Sequence, residues 1–260
     1  AQAYPSRTKD TDDVDFSTGS VGLGAAMTVF ASLAQDYVEL HGGMAPETHG
    51  RMVAVVGDAE LDEGNIYECL LEGWKHGLRD TWWVIDYNRQ SLDSVVSDRL
   101  FQRIDGIFEA MGWRVVTLKY GKRLEAAFRE PGGEELRRWI DDCPNSIYSA
   151  LTFKGGAAWR ARLEAEIGAR PGVAAILAAR DDATLARMMT DLAGHCMETL
   201  IEAFDAAGQD DAPTCFIAYT IKGFGLPLAG HQDNHAGLMT PAQMADFREA
   251  MGVAEGEEWR

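Results

Sequence analysis

No apolar run in this 260-residue chain approaches the roughly 20 residues that a membrane-spanning helix requires, and no secretory signal is visible. Basic residues are scarce, with 24 Lys and Arg against 41 Asp and Glu, a formal net charge of -17. A nucleic-acid-binding surface needs clustered Lys and Arg, so that class is disfavoured, although net charge says nothing about fold. The four cysteines (Cys69, Cys143, Cys196 and Cys215) have no CxxC spacing. They read as buried or free thiols in a reducing, cytoplasmic setting, not as a zinc site or a disulfide framework. No internal repeat and no Pro/Ser-rich linker is evident. What is present is a large apolar content, 46% hydrophobic, enough for one large or two small packed domains. The chain opens on Ala1 with a polar segment, as expected of a processed chain, a fragment or part of something longer.

Periodicity gives alternating elements. GLGAAMTVFASLAQDYVEL carries Leu23, Met27, Phe30, Ala34 and Val38 at helical spacing and reads as an amphipathic helix. RMVAVVG is a short strand ending at Gly57, NIYECLLEGWKHGL a helix, and TWWVIDY a second strand. RLFQRIDGIFEAMG is a helix closed by Gly112, WRVVTLKYG a third strand and TCFIAYT a fourth. Strands alternating with helices imply an α/β fold, a doubly wound parallel sheet covered on both faces. Between the third and fourth strands, residues 121–212 read as a helical insertion: KRLEAAF, EELRRWIDD, GAAWRARLEAEIG and DDATLARMMTDLAGHCMETLIEAFDAA. A separate small domain is the alternative.

The chemistry lies at the strand ends. Four carboxylates, Asp58, Glu60, Asp62 and Glu63, follow Gly57, and DYNRQ follows the second strand. In open α/β sheets ligands bind beyond the carboxyl ends of the strands. Asp58 and Asn88 are 30 residues apart, one crossover unit, so adjacent parallel strands would bring them together. A carboxylate and an amide oxygen are hard donors that suit magnesium or calcium. Beside the N–H groups of a helix start they make a diphosphate site. Asp58 could instead cap the next helix, and Glu60, Asp62 and Glu63 could form a solvated first turn favoured by the helix dipole.

The stretches GDAELDE, DYNRQSLD, DGIFEAMGWRVV and AYTIKGFG resemble the thiamine diphosphate enzymes of the transketolase and 2-oxoacid dehydrogenase group. More narrowly, they resemble the decarboxylating component of the single-chain bacterial pyruvate dehydrogenase type. The likeness runs from about Phe16 to Val253 and is weakest in the helical insertion. It implies a thiamine diphosphate-binding fold, with residues 1–260 as one diphosphate-binding domain and no pyrimidine-binding domain recognised in the chain.

The resemblance also implies residue roles. Asp58, the Asn88 side chain and the Gln90 carbonyl take the place of magnesium ligands. Gly57, Asp58, and the Ala59 and Glu60 amides take that of the diphosphate cradle. Ser20, Val21 and Gly22, in the TGSVGLG loop, lie where the family packs near the thiazolium. Ala59 stands where the family has glycine, and would cost ~1 kcal/mol if the position needs positive φ. His235 is the first choice for the functional loop histidine, His231 the second, with Lys222 as a phosphate or carboxylate partner. Two exposed loop histidines and a surface lysine are the alternative. The implied reaction is oxidative decarboxylation of a 2-oxoacid, pyruvate first, with acyl transfer to the lipoyl group of an acyltransferase component. A transketolase-like two-carbon transferase and a non-catalytic cofactor-binding or regulatory module are the alternatives. The implied assembly is a homodimer or larger, with the pyrimidine half of the site supplied by another chain or segment. The Met27–Phe30 helix is a candidate to line that interface.

Overall fold

The computed structural model describes residues 6–11, 13–91, 94–95 and 100–258. Leu92 and Asp93 of the DYNRQSLD stretch, and Arg99 ahead of the third helix, lie outside the described residues. In chain order the strands are β1 (Met52–Gly57), β2 (Thr81–Tyr87), β3 (Gln90–Ser91), β4 (Ser94–Val95), β5 (Arg114–Leu118) and β6 (Thr214–Tyr219). The helices are α1 (Leu23–Leu40), α2 (Gly64–Lys75), α3 (Leu100–Ala110), α4 (Lys122–Phe128), α5 (Gly133–Asp142) and α6 (Asn145–Lys154). They continue as α7 (Gly156–Ile167), α8 (Val173–Ala178), α9 (Asp182–Met189), α10 (Met197–Ala207) and α11 (Pro241–Ala250). The chain divides into two compact units, the first formed by residues 1–88, 99–122 and 192–220, the second by residues 89–98, 123–191 and 221–260.

The first unit holds the parallel sheet, in the order β1-β2-β6-β5. Its two central strands are nearly continuous apolar runs, as strands covered on both faces should be. Alternation along β2 separates the faces. Trp83 points to one face, where its Nε1 donates to Thr28 on α1 at 3.0 Å and its ring meets Phe108 of α3 edge-on at 5.7 Å. Trp82 points to the other, where it stacks on Phe204 of α10. Leu200, Ala203, Phe204 and Ala207, one stripe of α10, pack there with Phe216 and Leu118. The doubly wound reading therefore holds. Gly112 ends α3 at φ 77, with Trp113 N–H returning to the Phe108 carbonyl, the bond of a Schellman cap.

The buried face of α1 is Ala25, Ala26, Thr28, Val29, Ser32 and Gln35. The larger apolar residues Leu23, Phe30 and Val38 of the amphipathic pattern are exposed, Phe30 by 51%. Small residues let the helix lie close on the sheet, and its bulky stripe is left outside. The segment 121–212 also divides: residues 123–191 belong to the second unit, whereas 192–212, including α10, belong to the first.

The second unit contains α4 from Arg123 onward, α5 to α9 and α11 with the short antiparallel pair β3-β4. Its core is centred on Trp159, Leu163, Ile176, Leu185 and Met189, all fully buried or nearly so. Two Pro-Gly turns, at Gly132 and Gly172, meet so closely that a Cβ on Gly132 would lie 2.5 Å from the Gly172 carbonyl carbon.

Candidate functional site

In the first unit β1 and β2 run parallel, with Gly57 opposite Asp86. Asp58 is one residue beyond this pair and Asn88 two, so both stand at the carboxyl ends of neighbouring strands, as expected. Asp58 opens a 3-10 turn (Asp58–Asp62) and is 5% exposed, unusual burial for an aspartate. Ala59 lies inside that turn, and the non-glycine residues with positive φ among those described are Asp80 and Arg89. The left-handed conformation considered for Ala59 does not occur, so the departure from glycine carries no backbone strain.

Asn88 donates its side-chain amide to Asp86 Oδ2 at 3.3 Å, and its N–H reaches the Asp86 carbonyl at 3.1 Å. Asp86 Oδ1 accepts from the Thr220 hydroxyl, just past the end of β6. Asp86 and Thr220 are thus supporting residues that sequence reasoning did not single out. The available signal was Asp86 itself, one residue before the end of β2.

The acids of the β1–α2 turn are not equivalent. Asp62 and Glu63 are exposed, as a solvated first turn requires. Glu60 is half-buried and its carboxylate accepts two backbone N–H groups, Gly57 at 3.1 Å and Gly22 at 2.9 Å. Gly22 is the N-cap of α1 at φ 78. Ser20, Val21, Glu60 and the β1 residues Val53 and Val55 border a cavity of about 540 Å³ in this unit. Asp58 and Asn88 do not line it.

The other candidates lie in the second unit. Gln90 is 3% exposed and its side chain donates to the Gly230 carbonyl at 3.4 Å. Lys222 Nζ is 3.3 Å from His235 Nδ1. An ammonium only donates, so Nδ1 is the acceptor and the neutral ring carries its proton on Nε2. Asn234 Nδ2 donates to the Lys222 carbonyl at 2.6 Å, and a Cβ on Gly223 (φ 68) would strike that amide at 2.3 Å. Gly223 is therefore the residue that lets the loop fold back on Lys222. His231 is used differently: its Nδ1 accepts from Asp233 N–H, capping a short 3-10 turn, and its ring meets Phe153 edge-on. The structure brings Lys222 and His235 together and gives His231 a local structural task.

One further group in the first unit has cation-ligand spacing, Asp36, Glu39 and His49, with ligand atoms within 4.8 Å of one another. Arg79 already engages Asp36 at 2.9 Å and Glu39 at 3.5 Å, and His49 Nδ1 meets Glu39 at 2.7 Å. The hydrogen bond to Asp36, and then the neighbouring carboxylates, hold the Arg79 guanidinium above its ordinary pKa. The carboxylates of this group therefore already share an arginine partner. None of the four cysteines forms a disulfide, and among the described residues no helix is long and apolar enough to cross a membrane.

No family model matches the chain. It is 27% identical to the pyruvate dehydrogenase E1 component of Escherichia coli (strain K12) over 236 residues, 90% of this chain and 26% of that protein. The Corynebacterium glutamicum E1 component is 24% identical, covering 98% of this chain and 28% of its own length. The chain therefore spans about a quarter of the length of these curated relatives. Among solved structures, transketolase from Campylobacter jejuni superposes with a TM-score of 0.53 at 17% identity, covering 92% of this chain and 26% of that one. Transketolase from Leishmania mexicana gives 0.53 at 16% identity, with 95% and 27% covered. These likenesses show the fold. The chain thus has the α/β fold seen in these transketolases and is similar in sequence to the pyruvate dehydrogenase E1 component.

Proposed function

We propose that this chain forms the diphosphate-binding half of a thiamine diphosphate- and magnesium-dependent enzyme that decarboxylates a 2-oxoacid, with pyruvate the leading substrate. The observation that carries this reading is the Gly57–Asp86 register, with a buried carboxylate at Asp58 and an amide at Asn88 immediately beyond it. The donor set fits a hard dication. Asp58 would supply the anionic ligand and Asn88 the neutral one. The Ala59 and Glu60 amides, at the start of the turn after β1, suit diphosphate oxygens.

When bound, thiamine diphosphate supplies a carbon nucleophile and then an electron sink for decarboxylation. This chain's own contribution is to anchor and orient. Asp86 holds the Asn88 amide, and the loop around Ser20 and Val21 borders the cavity expected beside the thiazolium end. His235, its ring oriented by Lys222, is the loop group that would meet substrate or exchange a proton. The acyl group would pass to the lipoyl group of an acyltransferase component, in the cytoplasm.

The functional state in this reading is a homodimer or larger, because the pyrimidine end of the cofactor needs a second domain. The exposed stripe of α1 (Phe30, Tyr37) and the exposed Tyr67, Leu71 and Trp74 of α2 support it. They are bulky apolar groups of the kind that obligate interfaces bury. A transketolase-like two-carbon transfer is the second reading, favoured by the solved-structure likeness. The complete protein, given pyruvate and an electron acceptor or else ketose and aldose phosphates, separates the two. Turnover of the sugars alone refutes the first. Absence of thiamine diphosphate binding, even with the partner domain present, would favour a non-catalytic module.

A further inference from the structure

We infer that Glu60 is a positioning residue: its carboxylate ties the glycine loop before α1 to the end of β1, so that the Ser20–Gly22 loop and the Asp58 turn form one cradle. The inference rests on the diphosphate-binding reading above.

Three observations lead to it. First, α1 has no capping side chain of its own and no acidic residue in its first turn. Its N-cap, Gly22, instead gives its N–H to Glu60, 38 residues further along the chain, at 2.9 Å. An anion at this end complements the helix dipole, so a missing local cap is supplied from a distance. Second, the other oxygen of the same carboxylate accepts from Gly57 at 3.1 Å. One side chain therefore spans the two backbone segments that must keep a fixed spacing if a single cofactor is to touch both. Charge-assisted bonds of this type are among the stronger ones a side chain makes to backbone. Third, Gly22 lies tight against the start of α2: a Cβ there would come within 2.6 Å of Asn65 Oδ1 and 3.0 Å of Glu63 Cβ. The loop is thus seated against the Glu63 and Asn65 side chains and latched by Glu60. The neighbouring acids have no such arrangement, since Asp62 and Glu63 point into solvent.

The clamp also bears on charge. A carboxylate near a diphosphate would repel it, but here both oxygens are engaged by N–H donors. The Glu60 backbone amide remains the part of the residue that can serve the anion.

The test uses the full chain with Glu60→Ala, Glu60→Gln and, as a stability control, Val29→Ala, which truncates a fully buried side chain in α1. Amide hydrogen exchange and calorimetric titration with thiamine diphosphate and magnesium are the two readouts. Glu60→Ala should speed exchange at Gly22 and Gly57 at least tenfold, leave β2 and β6 protected, and weaken cofactor binding about tenfold or more. Glu60→Gln keeps one acceptor oxygen and should recover part of both effects. Val29→Ala should lower the melting temperature without altering affinity at a temperature where it is folded. Unchanged exchange at Gly22 in Glu60→Ala overturns the clamp, and unchanged affinity with faster exchange overturns its positioning role. If the unmodified protein, with its partner domain present, binds no thiamine diphosphate, the functional reading and the positioning role fall together. Exchange at Gly22 then still decides whether the clamp exists.

Discussion

Asn88 donates its side-chain amide to one oxygen of Asp86 at 3.3 Å, while the other oxygen of that carboxylate accepts from Thr220. Two residues at the ends of two adjacent strands, Asp86 directly and Thr220 through it, thereby fix one amide. An outer partner that orients a ligand typically controls about 10–100-fold in metal affinity. Asp86→Ala should therefore weaken magnesium-supported thiamine diphosphate binding by that order, although Asp86 is not proposed as a ligand. Thr220→Val should cost less, since it removes one neutral donor. Calorimetry at fixed magnesium measures both, and wild-type affinity in Asp86→Ala would remove the orienting role.

The direct ligands are predicted to rank by charge. Asp58→Ala removes the anionic donor and should abolish magnesium-dependent binding. Asn88→Ala removes a neutral donor and should weaken binding less. Asp62→Ala should be nearly silent, because Asp62 is exposed at the turn. The same titration ranks the three variants, and greater damage from Asp62→Ala than from Asp58→Ala would show the ligand assignment to be wrong.

Ala59 gives an unusual prediction. The family pattern has glycine there, so Ala59→Gly would appear restorative. In the structure Ala59 sits in a 3-10 turn without positive φ. Glycine there gains no needed conformation and loses about 0.5–1 kcal/mol of backbone preference. Ala59→Gly should leave cofactor affinity within about twofold and slightly lower the melting temperature. A gain in affinity of tenfold or more would mean that the bound state requires a backbone this turn does not adopt.

How much of this was legible in the sequence depends on where each signal resides. The four sheet strands and the Gly57–Asn88 spacing are local patterns, and they read correctly. Helix α1 is legible as an amphipathic helix, but which of its faces packs on the sheet is not. Hydrophobic periodicity finds the bulky face, and here the small residues face the sheet. Helices α6 and α8 were missed, the first between Pro144 and Gly155, the second only six residues long. The run from Asp181 to Ala207 read as continuous helix, yet it breaks at Thr190. There Gly194 passes so close to β6 that a Cβ would meet Thr220 Cγ2 at 2.4 Å, a tertiary constraint with no local trace. Glu60 was grouped with its neighbours because its partners are backbone N–H groups, which side-chain patterns do not show.

The buried thiols give an alkaline prediction. Burial raises the Cys69 pKa from 9.0 to about 12, and burial likewise pushes Cys215 well above its ordinary value. A thiol that holds its proton more tightly folded than unfolded stabilises the fold below the unfolded pKa, and this stability is lost as pH rises through the folded one. The window runs from about pH 9 to 12 for Cys69. The melting temperature should fall across it, and Cys69→Ala should flatten part of that fall. At pH 8 iodoacetamide should modify the partly exposed Cys143 and Cys196, and reach Cys69 and Cys215 only in denaturant. Rapid modification of Cys69 in the native protein would contradict its burial.

The two loop histidines should separate by the kind of damage their loss causes. His231 accepts a capping bond from Asp233 and packs edge-on against Phe153, with centroids 4.6 Å apart. Losing a cap and an aromatic contact costs about 1–2 kcal/mol. His231→Ala should therefore lower the melting temperature by a few degrees. His235 is exposed, so His235→Ala should change stability by no more than about 0.5 kcal/mol. Its partner Lys222, at 3.3 Å, fixes which nitrogen the ring presents, and that arrangement has no evident packing purpose. In the complete protein His235→Ala should depress turnover while leaving the melting curve in place. His231→Ala, assayed where it is fully folded, should retain most of its activity. The reverse pattern, with an inactive folded His231→Ala and an active His235→Ala, would transfer the functional role to His231. Lys222→Ala should then follow His235→Ala in turnover only if the pair acts as a unit, which a double-mutant cycle on Lys222 and His235 reads directly.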